Sequence, residues 1–402
     1  MIKPRFCALL AALAACSGDT RLETCDIRES SCRYDVFLAV QDVRGSLWDP
    51  WIEPPPMDVI TEAQYRALVI AERERARQQT GVDYFTEGLK LLRMIDPNEK
   101  PDEEIDRKVE SVAAYYDATA HHVTIIDRGG NVDHAADVYT LSHELVHAAQ
   151  DRDVGFNRLF RDVVSRDNTL ALSAMLEGEA ELYATLVSAK QRDVPKTLID
   201  WRIFGGWIGD LRRRIFMDVS PYRLATTELL YPLGGAYNAA AYVAGGPLEV
   251  RRTYEPPPLA ASRFIAGRRS LDDVDPPPWS CGVIESPPGY ESVLGDELGA
   301  LALYAFATRI AVAEPAAWDR ARMWTGDRFY VYRQPSDPNA LAVVWIIRSA
   351  SAQAATALHN LLTSVAWQQP LESTVRGDTL HLLVSRSAID EPYDGWSQCP
   401  PL

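Results

Sequence analysis

The sequence predicts an α+β protein that is mostly helical, with a small mixed sheet and a second, smaller α+β unit near the C-terminus. Residues 61–81 and 134–151 repeat apolar side chains at helical spacing. Residues 112–127 read as extended, with alternation from Val123 to Asp127, and run into a Gly-Gly turn, which is typical of a strand. Beyond residue 328, the strand-like runs FYVYR, LAVVWIIR and TLHLLVSR flank one helical segment.

Composition narrows the classes of partner. The chain has 402 residues, of which 47% are hydrophobic and 24% charged, so it can bury a large core and is too apolar for wholesale disorder. Its formal net charge of −15 disfavours nucleic acid or an anionic membrane face as the main partner, because both would repel it. No apolar run is long enough, at about 18 residues, to span a bilayer.

The first residues predict a targeting signal. Lys3 and Arg5 precede the apolar stretch FCALLAALAA, and small residues lead to Cys16. The LAAC ending resembles the lipobox of bacterial lipoproteins, which implies that Cys16 is acylated and that the protein is lipid-anchored at the bacterial cell envelope. By the same resemblance, Ser17 favours the outer membrane. The alternative is a plain secretory signal with an incidental cysteine.

Cys7 leaves with the predicted signal peptide and Cys16 would carry the lipid, so four cysteines remain for disulfides (Cys25, Cys32, Cys281 and Cys399), an even number in an oxidising compartment. They allow three disulfide pairings. Cys25–Cys32 is favoured as a local loop and Cys281–Cys399 as a link within the C-terminal region. A second metal site is the alternative, although no CxxC spacing occurs.

Proline-rich segments suggest the boundaries of the predicted domains. DPWIEPPPMD (49–58) marks one break, and YEPPPL (254–259) with DPPPWSCG (275–282) marks another. We therefore expect the following units: a lipoprotein signal peptide at 1–15, a lipidated cysteine and tether at 16–54, a catalytic domain at 55–280 and a C-terminal α+β domain at 281–402.

The elements of the larger domain follow in order. A helix at 61–81 ends at Gly81, and the extended segment 112–127 leads through a turn to a helix at about 134–151, with Asn131 or Asp133 as its N-cap. Asp167 or Asn168 would cap the next helix, at about 169–190. Further helices are expected near 195–217 and 225–245, and one at 294–313 opens the C-terminal unit.

HELVHAAQ, at residues 143–150, is the strongest indication of function. Residues four apart lie on one face of a helix, so His143 and His147 can present their imidazoles to a single metal ion. Glu144 would then lie beside a bound water, where it can act as a general base. Leu141, Leu145 and Ala148 would bury another side of the same helix.

A catalytic zinc ion needs a third protein ligand and keeps a fourth position open. LSAMLEGEAELYATL (172–186) offers Glu177 and Glu181 on one helix face. Glu177 is assigned as the ligand and Glu181 as the carboxylate that orients His143, although Glu181 stays open as the ligand. Gly178 lowers helix propensity by about 1 kcal/mol, which suggests that another backbone or a ligand approaches closely there.

HExxH followed by LEGEA resembles the gluzincin branch of zinc metallopeptidases, and is closest to poorly characterised bacterial metallopeptidase lipoproteins. The resemblance covers roughly residues 110–250 and implies a zincin-like domain with one zinc ion and an edge strand before the HExxH helix. It also implies that the tyrosine of YPLG, Tyr231, hydrogen-bonds the tetrahedral intermediate, with Tyr237 as the spare candidate.

The resulting expectation is zinc-dependent hydrolysis of a peptide or protein substrate at the cell envelope. An extended substrate would pair with the strand around 121–127, where His122 and Thr124 are the candidate substrate-binding residues. Two alternatives stay open: an amidohydrolase acting on cell-wall peptide or another amide, and a catalytically vestigial surface lipoprotein used for binding or assembly. The intact Glu144 argues against the vestigial form. Oligomeric state, substrate specificity and the role of the C-terminal domain are not predicted.

Overall fold

The computed structural model describes residues 22, 24–45, 53–80, 82–99, 101–130, 133–267, 279, 284–389, 393 and 395, without the side chains of 76–80, 101–104 and 338. The predicted signal peptide (1–15), Cys16, Cys281 and Cys399 lie outside the described residues. Within them the predicted α+β class is confirmed, with helices predominating over two separate sheets.

Part of the segment predicted to be a tether is helical, and the structure corrects that expectation. Helix α1 (Ser30–Arg44) buries Val36, Phe37 and Val40 against two central helices of the fold. The predicted disulfide between Cys25 and Cys32 is confirmed, and its loop leads directly into α1. His134 Nδ1 lies 2.9 Å from the carbonyl oxygen of Cys25, which connects this loop to the start of another helix. The N-terminal segment is therefore part of the folded core.

The first sheet contains three strands in the order β1-β3-β2, which are β1 (Met57–Thr61), β2 (Ala114–Asp117) and β3 (His122–Asp127). β3 pairs in parallel with β1 and antiparallel with β2, so it is the central strand. Between β1 and β2 lie helices α2 (Glu62–Thr80), α3 (Tyr84–Leu91) and α4 (Pro101–Ser111).

Two long helices form the centre of the larger region. Helix α5 (His134–Val154) begins after Asp133, whose side chain accepts hydrogen bonds from the backbone N–H groups of Ala135 and Ala136, as predicted. Helix α7 (Arg166–Gln191) begins earlier than expected: its N-cap is Ser165, which accepts from the Asn168 N–H, and not Asp167 or Asn168. The short helix α6 (Phe156–Leu159) lies between them.

Further helices surround this pair. They are α8 (Ile203–Met217), α9 (Pro221–Thr227), α10 (Leu230–Arg252) and α11 (Ser262–Ile265). Helix α10 crosses α7 at two glycines. A methyl group on Gly178 would lie 1.9 Å from the carbonyl carbon of Gly234, and one on Gly234 would lie 1.6 Å from the Ala174 oxygen. The close backbone approach predicted from Gly178 is confirmed, because only glycine fits at this crossing.

The C-terminal part forms a five-stranded antiparallel sheet in the order β4-β5-β6-β8-β7. Its strands are β4 (Glu291–Asp296), β5 (Trp324–Gln334), β6 (Asp337–Ser349), β7 (Leu371–Arg376) and β8 (Thr379–Ser385). Helices α12 (Gly299–Thr308), α13 (Glu314–Arg322) and α14 (Ala352–Thr363) accompany it, and β4 occupies the beginning of the segment predicted as one helix at 294–313. One apolar core joins this sheet to the larger region, since Leu172, Phe306 and Trp345 belong to the same buried cluster.

Candidate metal centre

Helix α5 carries two histidines whose side chains are largely buried. His143 and His147 lie one turn apart, and their imidazole rings meet edge to face with centroids 4.7 Å apart. Leu141 and Leu145, both fully buried, hold another side of the helix in the core. The helix is thus fixed by apolar packing, while its histidines face the neighbouring helix α7.

Glu177 on α7 completes a compact group. Its Oε2 atom lies 3.0 Å from His143 Nε2 and 3.3 Å from His147 Nε2, and the two Nε2 atoms are 3.0 Å apart. The three residues form the one cluster of this kind found among the described residues that could hold a metal ion. The structure therefore brings together the three residues predicted as ligands.

The hydrogen-bond partner of Nδ1 in each histidine determines whether the Nε2 atom at this centre carries a proton when the ring is neutral. His147 Nδ1 lies 2.8 Å from Gln150 Oε1, an oxygen that can only accept a hydrogen bond. His143 Nδ1 lies 3.1 Å from Glu181 Oε1, which is likewise an acceptor. Because Nδ1 carries the proton of a neutral ring in both cases, each imidazole in its neutral form directs an Nε2 lone pair toward Glu177 Oε2. Three electron-pair donors thus converge on one point, which is the arrangement that binds a cation.

The predicted role of Glu181 agrees with this geometry. Its side chain is buried, with Oε1 on His143 and Oε2 accepting a hydrogen bond from the Tyr139 hydroxyl. Glu177 instead directs Oε2 to both Nε2 atoms. The structure thereby separates the two glutamates that the sequence left open: Glu177 lies at the centre and Glu181 behind His143.

The charges of the group depend strongly on one another. Burial lowers the pKa of His143, but hydrogen bonds to Glu177 and Glu181 outweigh it and place that pKa well above the ordinary value. Burial raises the pKa of Glu177, but the nearby His147 and His143 outweigh it and place that pKa well below the ordinary value. Glu177 is therefore ionised at neutral pH, and without a metal His143 holds a second proton at Nε2, which a bound metal ion would displace.

Glu144 lies beside the centre on the next position of α5. Its Oε2 accepts a hydrogen bond of 2.9 Å from the backbone N–H of Tyr116, on strand β2. Burial raises the pKa of Glu144, while the charges of His143 and His147 oppose that shift. A carboxylate held in this environment is more basic than one in water, which suits a group that must accept a proton.

Tyr231 reaches the site from α10. Its ring stacks on the His143 ring with centroids 5.7 Å apart, and burial raises the pKa of its hydroxyl. The glycine crossing explains this position, because Gly234 lies one turn after Tyr231 and rests on α7 next to Glu177. The spare candidate, Tyr237, is instead a core residue that packs on Phe264.

The two residues predicted to bind substrate, His122 and Thr124, do not face the centre. Val123 and Ile125 of β3 pack in the same core as α5, whereas Ile126 packs in a separate cluster with Tyr65 of α2. Since side chains alternate along a strand, His122 and Thr124 share the face of Ile126. Their assignment to the substrate site is corrected for this reason.

Several residues that support the centre were not predicted. Gln150 donates from Nε2 to the Leu176 carbonyl and to Glu179, at 2.9 and 3.0 Å, which fixes its amide orientation. Asp151 accepts hydrogen bonds from the Phe156 N–H and the Tyr116 hydroxyl. The position of Gln150, three residues after His147 on a helix, was the available signal, because that spacing places it next to the histidine.

No family model matches the chain, and no curated protein and no solved structure resembles it detectably. Among the described residues, no helix combines the length and apolar character needed to cross a membrane.

Proposed function

We propose that this protein is a zinc-dependent hydrolase of peptide bonds with a gluzincin-like site and a zincin-like catalytic domain. The supporting observation is the convergence of His143 Nε2, His147 Nε2 and Glu177 Oε2 next to Glu144. A tetrahedral zinc ion with bonds of about 2.0–2.1 Å separates its ligand atoms by about 3.3 Å. The observed separations of 3.0–3.3 Å are close to this value.

The donor set favours zinc among the common metals. Two imidazole nitrogens and one carboxylate suit a borderline-soft ion, whereas calcium and magnesium prefer oxygen ligands throughout. Three protein ligands also leave a fourth position for water or substrate, as in catalytic zinc sites. A zinc ion held there supplies Lewis acidity, which polarises a carbonyl and brings the pKa of water to about 7.

The side chains of this protein would carry the proton transfers. Glu144, with one oxygen anchored by the Tyr116 N–H, accepts the proton of the attacking water and returns it to the leaving amine. Tyr231 keeps its hydroxyl proton at neutral pH, and burial raises its pKa further, so it can donate a hydrogen bond to the developing oxyanion.

Strand β2 replaces the central strand as the proposed docking edge for substrate. The Ile126 N–H donates to the Ala113 carbonyl at 2.9 Å, so in this antiparallel pair the polar backbone groups of Ala114 and Tyr116 point away from β3. The bond from Tyr116 N–H to Glu144 agrees with that direction. A peptide paired with the outer edge of β2 would therefore pass directly by Glu144.

The proposed setting is the bacterial cell envelope, with Cys16 as the lipid attachment and a peptide or protein as substrate. The LAAC sequence supports the anchor, and the net charge of −15 argues against nucleic acid as a partner. Cell-wall peptide is the second substrate class to test, because the same ligands and general base can hydrolyse either amide.

Glu144→Gln is the decisive variant. It should retain about one zinc ion per chain and lose peptide hydrolysis by about 10²–10⁴-fold, because the amide cannot accept the proton. Glu177→Gln should lose the metal itself. Hydrolysis of a peptide library and of cell-wall stem peptides, alongside metal content by elemental analysis, measures both effects.

Glu372→Gln, an exposed glutamate of β7, is the matched control and should change neither quantity. Wild-type-like hydrolysis by Glu144→Gln would refute the mechanism. Zinc retained by Glu177→Gln at full stoichiometry would refute the ligand assignment. Stoichiometric zinc binding by a wild-type protein that cleaves no substrate would instead support the vestigial alternative.

A further inference from the structure

We propose that Arg44, on the N-terminal helix α1, is a positioning residue that holds His147 in place for the metal through Glu179 and Gln150. The inference rests on the proposed zinc site and adds a residue that lies 99 positions before the first ligand, His143. It also gives the middle glutamate of LEGEAE a role.

The connection is a continuous series of hydrogen bonds. Arg44 Nη2 donates to Glu179 Oε1 at 3.0 Å, and Gln150 Nε2 donates to Glu179 Oε2 at 3.0 Å. Gln150 Oε1 then accepts from His147 Nδ1 at 2.8 Å. Each member has one geometry compatible with its neighbours, since the guanidinium only donates and the carboxylate only accepts. Through this series, Arg44 on α1 fixes the orientation of the His147 imidazole.

Because the charged members of this series are buried, breaking their hydrogen bonds costs more free energy than it would at the surface. The side chain of Arg44 is 4% exposed and that of Glu179 is 0% exposed. A second carboxylate, Asp153, lies 3.1 Å from Arg44 Nη1 and balances its charge together with Glu179. The Tyr254 hydroxyl also donates to Glu179 Oε2. Removing the guanidinium would leave two buried carboxylates without their shared cation, so the surrounding bonds would have to rearrange.

The orientation of the Gln150 amide determines whether His147 can bind a metal ion. Its two N–H groups are taken by the Leu176 carbonyl and by Glu179, so its oxygen must face His147. If Glu179 moved, the amide could rotate and offer an N–H to His147 Nδ1. The ring would then carry its proton on Nε2, and an Nε2–H cannot bind a metal ion.

The two histidines are thus held by different supports. His143 is held by a carboxylate, Glu181, which is itself bound by Tyr139. His147 is held by a neutral amide that depends on a charged pair at its far end. The three glutamates of LEGEAE therefore serve one centre: Glu177 as ligand, Glu181 behind His143, and Glu179 behind Gln150 and His147.

The test measures zinc affinity by competition with a chromogenic chelator, using the full-length protein. Arg44→Met and Gln150→Leu should each raise the zinc dissociation constant by about 10–100-fold, the usual effect of removing a partner of a metal-bound histidine. Arg44→Lys should recover part of the loss because it keeps a cation near Glu179. If Arg44 acts through Gln150, the double variant should bind zinc no more weakly than Gln150→Leu alone.

Arg212→Met is the matched control, because Arg212 also forms a half-buried pair with a glutamate, Glu314, and stacks on Trp318. It should lower stability and leave zinc affinity unchanged, which separates positioning from general destabilisation. If Arg44→Met does not fold, as judged by circular dichroism, Glu179→Gln and Gln150→Leu decide the question.

Zinc affinity within twofold of wild type in the folded variants, or additive losses in the double variant, would overturn the proposal. The two proposals fail separately. If the affinities change as expected but the wild-type protein hydrolyses no peptide, the zinc site and its positioning stand and the hydrolase does not.

Discussion

Two carboxylates, one in the C-terminal sheet and one at the metal centre, have partners of different kinds. In the C-terminal sheet, Asp327 is fully buried and accepts four hydrogen bonds of 2.8–3.0 Å. The donors are the backbone N–H groups of Leu298 and Gly299 and the indole N–H groups of Trp324 and Trp345. At the metal centre, Glu177, whose side chain is 23% exposed, instead has its Oε2 next to the Nε2 atoms of two histidines whose Nδ1 atoms contact Gln150 and Glu181.

The comparison shows that burial of a charge does not by itself identify a functional site. Donors converge on Asp327 and satisfy it, so that carboxylate fixes the start of α12 and two tryptophans. Three electron-pair donors converge at Glu177 Oε2, so a cation, either a metal ion or a proton on Nε2, has to lie between them. The Asp327 contacts give the sequence WTGDR (324–328) a structural role.

The buried histidines differ in the same sense. Burial and Arg376 lower the pKa of His381, in β8, to about 4. His143 is also buried, but hydrogen bonds to two carboxylates, Glu177 and Glu181, raise its pKa. The protonation of a buried histidine is therefore decided by the charges beside it, which differ between the two regions.

Asp327→Ala should produce the largest loss of stability. It leaves four N–H donors without their acceptor, at about 1–3 kcal/mol for each group that stays buried, so we expect a loss of at least about 4 kcal/mol. Urea unfolding measures this loss. Zinc bound per folded chain should remain unchanged, because Asp327 belongs to the other region.

Glu177→Gln is the converse case. It should keep the fold and lose only the stabilisation contributed by bound zinc, about 2.7 kcal/mol when free zinc is 100 times its dissociation constant. Release of the metal by Asp327→Ala, or unfolding of zinc-free Glu177→Gln, would contradict the conclusion that Asp327 stabilises the fold and Glu177 binds the metal.

His381 should make the C-terminal sheet sensitive to acid. Its pKa is about 4 in the folded protein and 6.5 in the unfolded chain, so its contribution is fully present above pH 6.5. About 3 kcal/mol should be lost as pH falls from 6.5 to about 4, because the unfolded chain then binds the proton more readily.

Urea unfolding of wild type and His381→Leu at pH 7 and pH 4 checks this expectation. Between pH 7 and pH 4, the free energy of unfolding should fall by about 3 kcal/mol less in His381→Leu than in wild type. Arg376→Gln should make this acid-induced fall slightly smaller than in wild type, because Arg376 contributes to the lowered pKa of His381. An identical pH dependence in wild type and His381→Leu would contradict it.

The smallest effect is expected at the N-terminal disulfide. Replacing Cys25 and Cys32 together by serine opens a loop with a sequence separation of 7 residues, which should lower the free energy of unfolding by about 2.4 kcal/mol. Because α1 belongs to the core cluster of α5 and β3, its backbone amides should exchange hydrogen faster.

The amides of β6 and β8 should keep their protection, since these strands pack in the cluster that joins the two regions. Hydrogen exchange followed by mass spectrometry resolves the segments. Equal loss of protection in α1 and in β6 would show that the protein unfolds as one unit.

Local patterns predicted the centre well, because its ligands lie on two helices with regular spacing. HExxH places two imidazoles on one face, and the glycine after Glu177 predicted the close approach of another backbone. The Cys25–Cys32 disulfide followed from a short separation in an even set of cysteines.

Interactions between distant segments were not predicted. The parallel pairing of Met57–Thr61 with β3 makes β3 central, and nothing in the local alternation of residues 122–127 reveals it. The contact of Arg44 with Glu179 likewise joins α1 to α7 across 135 positions. Arg44 ends a helix in a segment that reads as a polar tether, so its burial depends on packing alone.

The contact of Gly178 with Gly234 limits how this site could be enlarged, in evolution or by engineering. A pocket can usually be widened by replacing a large side chain with a smaller one. At this crossing both residues are already glycine and their backbones are in contact, so no substitution can widen it. The helix crossing therefore fixes the distance between Glu177 and Tyr231. A pocket for a bulkier substrate would have to open on the opposite wall, where Phe156 and the outer edge of β2 border the histidines.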